Sequence, residues 1–185
     1  MAASCDEAIG KTVTAYGHID GVLNATGVYR VGEAVSLPDA DWDMTIDINL
    51  TGAFRLARAA GRAMLAQGHG RIVTIASVSS AVANPAYAAY AASKAGVAHL
   101  TRVLAVEWAR HGVTVNAIGP SVIPTPLSQP ILNNDTARSA ALARIPAGRF
   151  GTPDDLTGAT VFLLSAAGAF VTGQTLYVDG GRTCS

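Results

Sequence analysis

Cysteine is nearly missing from this 185-residue chain: Cys5 and Cys184 are the two, one near each end. Thiols so placed make neither a disulfide framework nor a zinc cluster, which points to a reducing cytoplasm. Charge is scarce too, at 14% of residues, and thirteen basic side chains balance thirteen acidic ones. Without a basic excess there is no electrostatic footprint for nucleic acid; without an acidic tract there is none for a basic partner. No run of about 18 apolar residues occurs, so no membrane-spanning helix is expected. The start, Met1 to Glu7, lacks the basic and apolar regions of a signal peptide. His18, His69, His99 and His111 have no metal-ligand spacing, so no metal site is expected. No glycine-rich strand-to-helix turn, the usual phosphate cradle of open α/β sheets, precedes Asn24.

What is plentiful is apolar surface. Half of the residues are hydrophobic, which suits a sheet buried on both faces. The length suits one domain, 1–185. Strand and helix signals alternate along it, predicting an α/β fold with a doubly wound parallel sheet. Residues 6–16 are helix-compatible, and 19–24 read as a short buried strand. Pro38 and Asp39 open a long helix running through Trp42, Ile46, Phe54 and Met64 to Gly68. The β-branched run 71–77 predicts a strand, 86–110 a second long helix and 113–118 another strand. Residues 119–135 hold four of the eight prolines and predict a long loop of the kind that forms lids. Thr152 and Asp155 have the spacing of a capping box, with a helix to about 166. A last strand covers 174–178. Trp42 and Trp108 read as packing anchors.

The sharpest local feature is Tyr90-Ala91-Ala92-Ser93-Lys94 within a predicted helix. The i, i+4 spacing puts phenol and ammonium on one face. A cation about 4 Å from a phenol contributes roughly 4 kcal/mol at an effective dielectric of about 20. That would draw a tyrosine pKa from about 10 toward 7 and fit it for proton transfer at neutral pH. Ser77 ends the preceding strand, at the sheet edge where such folds bind ligands. Asn24 and Gly119-Pro120-Ser121 end other strands at the same rim. Asn49 interrupts an apolar stretch, so its amide needs either structural carbonyls or a water.

Taken together, these pieces resemble the short-chain dehydrogenase/reductase family. They are Asn24-Ala25-Thr26-Gly27, Ile48-Asn49-Leu50-Thr51-Gly52, Ile75-Ala76-Ser77, Tyr90 to Lys94, Val115 to Pro120 and Val178-Asp179-Gly180-Gly181. They follow family order and spacing over the whole chain. The resemblance implies a Rossmann-like fold, NAD or NADP as cofactor, and a small alcohol or ketone as substrate. It implies Tyr90 as general acid/base, Lys94 on the nicotinamide ribose, Ser77 on the reacting oxygen and Asn49 on a relay water. It implies cofactor contacts at Asn24, Ala25, Gly27, Tyr90, Lys94, Pro120, Ser121, Ile123 and Thr125. It also implies a homo-oligomer, tetramer or dimer, in which the long helices pair with a neighbour's through Phe54, Met64, Leu100 and Leu104. The family's first strands and glycine-rich turn would lie before Asn24, where this sequence has 23 residues. The chain is therefore expected to be an N-terminally shortened member. It is expected to bind nicotinamide dinucleotides poorly and to expose its first strand as an edge. Ser121 stands where the family usually has glycine. Arg144 to Gly151 and Asp155 to Gly158 are similar to members acting on sugar acids and polyols, and also to 3-oxoacyl carrier-protein reductases. Tyr87 reads as a pocket wall or a core residue.

Two other classes match fewer residues. A non-catalytic piece acting only by association would need the helix faces alone. A Ser–Lys hydrolase using Ser77 and Lys94 would need a nucleophile elbow, and no Gly-x-Ser-x-Gly surrounds Ser77.

Overall fold

A computed structural model describes residues 2–185. Four strands form one sheet in the order β1 (Gly21–Asn24), β2 (Gly70–Ile75), β3 (Val113–Pro120) and β4 (Thr175–Val178). Every pairing is parallel. The strands alternate with helices α1 (Ala2–Tyr16), α2 (Asp39–Ile46), α3 (Gly52–Gln67), α4 (Ala88–Trp108), α5 (Gln129–Leu132), α6 (Asp135–Ala143) and α7 (Pro153–Leu164). This is the expected doubly wound, Rossmann-like architecture. The first strand is an edge, paired with β2 alone. No helix among the described residues is long and apolar enough to cross a membrane.

The period-2 alternation of the strands explains the two-faced core. Ile72 and Val115 point to one face and pack with Ala57, Ala60, Met64 and Leu104 of α3 and α4. Val73 and Ile118 point to the other and pack with Leu163 of α7. All eight residues of β3 are buried, as a central strand requires. Helix α3 buries Ala53, Ala57, Ala60, Gly61 and Met64, a stripe at helical spacing. Small side chains on that stripe let the helix lie close to the sheet. Gly61 faces the Trp108 ring, where a Cβ would stand 2.7 Å from it. Trp108 is thus a packing anchor, whereas Trp42 is 41% exposed and is not.

Helix stops follow the glycines. Gly68 and Gly112 both adopt left-handed conformations after α3 and after the turn that ends α4. Gly112 also needs to lack a side chain, because a Cβ there would collide with the Gly68 carbonyl. Thr152 and Asp155 form the expected capping box.

Two expectations are corrected. The predicted long helix is not uniform: a π-helical turn, Asp47–Thr51, joins α2 to α3. The segment 119–135 is not a plain loop. Pro120 still belongs to β3, a 3₁₀ turn follows at Pro126–Ser128, and α5 and the start of α6 complete it. Pro126 and Pro130 occupy first-turn positions, where a missing N–H costs nothing. Asn134 caps α6 by accepting the Ala137 N–H at 2.9 Å.

Candidate active site

The carboxyl ends of the strands open on one cavity of about 580 Å³. That volume is in the range of small-molecule sites. The residues after β1, β2 and β3 form its floor, and the segment 121–128 with α6 covers one side. Ser77 follows β2, and its Oγ accepts the Ser79 N–H at 3.1 Å, which fixes the hydroxyl at the rim. Tyr90 and Lys94 belong to the buried stripe of α4, together with Ser93 and Val97. Ser77, Tyr90 and Lys94 all reach the cavity wall. Ser77 lies beside the Tyr90 phenol and acts to lower its pKa.

The electrostatics differ from the sequence expectation. Burial raises the Tyr90 pKa above its ordinary value; the Ser77 hydroxyl opposes this and the nearby Tyr87 adds to it. Lys94 does not lower it here. Its ammonium stands 5.8 Å from the centre of the Tyr90 ring and donates to the Ile75 carbonyl at 2.8 Å. The shared helix face is real, but the four-carbon stem carries the charge past the phenol to the end of β2. Burial in turn depresses the Lys94 pKa to about 8. The phenol is therefore the neutral, proton-donating form at neutral pH.

Asn49 sits in the π-helical turn, a kind of irregularity that recurs at functional sites. Its Nδ2 donates to the Val28 carbonyl and to Ser93 Oγ, both at 3.0 Å, and its Oδ1 accepts the Val28 N–H at 2.8 Å. The structural partners for this amide are present: it clamps the loop after β1 against α4. Ser93 Oγ passes the chain on to the Tyr90 carbonyl at 2.7 Å. The amide donors are thus already engaged with protein groups.

The other expected residues fall into place around this centre. Ala25, Gly27, Pro120, Ser121, Ile123 and Thr125 all line the cavity. Asn24 does not; its Oδ1 accepts the Thr26 N–H at 3.1 Å and shapes the turn that does. A Cβ on Gly27 would stand 3.3 Å from Asn49 Oδ1 and 3.5 Å from Lys94 Nζ. The missing side chain keeps open the space beside the ammonium, so these residues fit a ribose hydroxyl approaching Lys94. Ser128 Oγ accepts the Thr125 N–H at 3.0 Å and donates to the Ile123 carbonyl at 2.7 Å, pinning the segment above the cavity.

The wall residues that sequence reasoning did not assign to the site include Tyr29, Asn84, Arg144 and Arg182. Tyr29, Tyr87 and Tyr90 form an edge-on aromatic cluster with centres 5.1 to 6.2 Å apart. Tyr87 is therefore a pocket wall. Ala86, just before it, holds a left-handed φ of 66°, and its carbonyl accepts the Gly32 N–H at 2.8 Å. That bond ties the loop carrying Tyr29 to the start of α4. No linear signal announces Tyr29.

Comparison with known proteins finds relatives along the whole chain. A family profile described as enoyl-(acyl carrier protein) reductase matches residues 1–183. The NAD-dependent glycerol dehydrogenase of Listeria innocua is 39% identical over 178 residues, covering 96% of this chain and 70% of its own. The 2-dehydro-3-deoxy-D-gluconate 5-dehydrogenase of Escherichia coli is 40% identical, covering 94% of this chain and 69% of its own. The crystal structure of a gluconate 5-dehydrogenase from Burkholderia cenocepacia, in complex with NADP and tartrate, superposes with a TM-score of 0.96. It is 39% identical and covers 100% of this chain and 72% of its own.

Proposed function

Because the chain belongs to the short-chain dehydrogenase/reductase family, and is an oxidoreductase using NAD or NADP, we propose that it interconverts a secondary alcohol and a ketone of the sugar-acid or polyol class, with Tyr90 as general acid/base. The observation that carries this reading is the convergence of the Ser77 hydroxyl, the Tyr90 phenol and the Lys94 ammonium on one cavity. A bound nicotinamide supplies or takes up the hydride. Lys94 and Gly27 would hold its ribose, with Ala25, Pro120, Ser121, Ile123 and Thr125 around it and Asn24 shaping the turn beneath.

The protein's own part is proton handling. In reduction the neutral Tyr90 phenol gives its proton to the carbonyl oxygen, which Ser77 orients by hydrogen bonding. In oxidation the phenol must first lose that proton, so the rate rises with pH. Asn49 anchors the loop and the helix between which the reacting groups sit; a relay water would be held by main-chain groups there, since the side chain is engaged. The free thiols of Cys5 and Cys184 suit a cytoplasmic enzyme.

The direct test is a panel of sugar acids and polyols with NAD and with NADP, followed by nicotinamide absorbance. Slow turnover is expected with at least one pair, because no glycine-rich phosphate cradle precedes Asn24. Absence of turnover across the panel with both cofactors counts against the reading.

The same reading includes self-association. Met64 and Leu104, expected at an interface, are core residues instead. Phe54, also expected there, is exposed; so are Val103 and Val106 on α4, and Val161, Phe162, Phe170 and Leu176 from α7 to β4. Val106 is 83% exposed and Phe170 fully so, which is unusual for large apolar side chains on a monomer. Light scattering is expected to give a dimer or tetramer. A monodisperse monomer at micromolar concentration would sink this part.

A further inference from the structure

The cavity's charge is lopsided. Its wall carries Lys94, Arg144 and Arg182 and no aspartate or glutamate. Lys94 lies at the reacting end. The two arginines lie together at the rim, and both converge on a single oxygen. Asn84 Oδ1 accepts from Arg144 Nη1 at 2.7 Å and from Arg182 Nη2 at 3.5 Å. Among the described residues neither guanidinium has a carboxylate within ion-pair distance. Arg149, one loop away from Arg144, shows the contrast: Asp155 holds it through two bonds of 2.7 and 2.9 Å.

Two guanidiniums gathered on one neutral acceptor repel each other and leave most of their N–H donors unspent. The arrangement is favourable when an anion sits between them. The three residues come from separate parts of the fold: Asn84 between β2 and α4, Arg144 at the end of α6, and Arg182 just after β4. The Asp179 carboxylate sets the last of these, accepting the Gly181 and Thr183 N–H groups at 2.9 and 2.8 Å. Ser185 Oγ donates weakly to the Arg144 and Arg182 carbonyls at 3.4 and 3.3 Å, which steadies both backbones without engaging either guanidinium.

We propose that Arg144 and Arg182, held together by Asn84, form a subsite for the carboxylate of a polyhydroxy-acid substrate. The inference rests on the oxidoreductase reading above and narrows it from polyols in general to their acids. A planar fork matches a carboxylate through paired N–H···O bonds, which a neutral polyol cannot offer. The apolar cavity between the rim and Ser77 would hold the carbon chain.

Binding rather than turnover tests this, so that the result does not depend on nicotinamide use. D-gluconate and D-glucitol share a carbon chain and differ at the carboxylate. By calorimetric titration of the 185-residue chain, D-gluconate is expected to bind about tenfold or more tightly, the step that one charge-assisted pair supplies. Arg144→Gln with Arg182→Gln should bring the two ligands to within about twofold of each other, a change near the limit of a neutral hydrogen bond. Arg144→Lys, which keeps the charge but loses the fork, should fall between; it also serves if the double variant does not fold. Arg149→Gln should leave the ratio unchanged. Equal binding of both ligands by the parent overturns the proposal, as does a gluconate preference that survives the double variant. Arg-dependent binding of 4′-phosphopantetheine that exceeds gluconate binding also overturns it, by assigning the subsite to a carrier phosphate. Failure of the cofactor panel alongside a retained, Arg-dependent gluconate preference would reject the proposed alcohol–ketone interconversion and leave the subsite standing.

Discussion

Replacing Tyr90 by phenylalanine is expected to lower nicotinamide-dependent turnover by about 10²- to 10⁴-fold, the usual contribution of a positioned general acid/base. The fold should survive. The ring is buried, 8% exposed, and packs edge-on against Tyr29 and Tyr87. Phenylalanine keeps those contacts. The hydroxyl that is lost belongs to a residue of the cavity wall, as does Ser77, and not to the apolar core clusters. Thermal unfolding within a few degrees of the parent, together with lost turnover in both directions, is the expected pair of results. Turnover within about threefold of the parent would remove Tyr90 from the mechanism, since no general-acid contribution is that small.

A companion change separates chemistry from packing. Ser77→Ala removes the hydroxyl that acts on the Tyr90 phenol and the cap of the Val78–Ser80 turn at once. Its loss of activity is therefore harder to assign than that of Tyr90→Phe, and the tyrosine is the cleaner probe.

The strands and the main helices were legible because their signals are local. The β-branched runs at 71–75 and 113–118 are strands, and Gly68 and Gly112 end helices in left-handed conformations. The Tyr90–Lys94 spacing placed both groups on the cavity as expected. Where the side chain of Lys94 goes was not legible, because the Ile75 carbonyl that captures it is nineteen residues away. The same holds for Asn49: its type announced a need for partners, but Val28 and Ser93 are supplied by the fold. The helices within 119–143 were readable in part. Asn134 followed by Asp135 and an alanine-rich stretch is a capped start that the density of prolines masked. The pair Arg144 and Arg182, joined by Asn84, has no sequence pattern at all, since the three are brought together by β4 and the end of α6.

Lys94 carries the second large effect, and it has opposite signs for function and stability. Its pKa is about 8 in the folded protein, lowered by burial from 10.5. Below pH 8 both folded and unfolded chains carry the proton, and the folded state bears the full cost of burying it. At ~1.4 kcal/mol per pH unit that cost is about 3 kcal/mol. Between pH 8 and 10.5 the unfolded chain keeps the proton while the folded chain releases it. Stability therefore rises with pH through that window and levels off above it. Lys94→Met keeps the stem and deletes the charge. It leaves the Ile75 carbonyl without its 2.8 Å donor, a loss of about 1 kcal/mol. A net gain of about 2 kcal/mol is thus expected at about pH 7, shrinking toward zero or below near pH 10 as the parent sheds its own proton. Turnover should be lost, because the ammonium that would hold the ribose beside Gly27 is gone. Denaturant midpoints of parent and variant at both pH values decide the matter. A variant less stable than the parent at about pH 7, or a gap that does not narrow with rising pH, would mean that the ammonium is not buried at a cost and that its charge is balanced by a partner in the cavity.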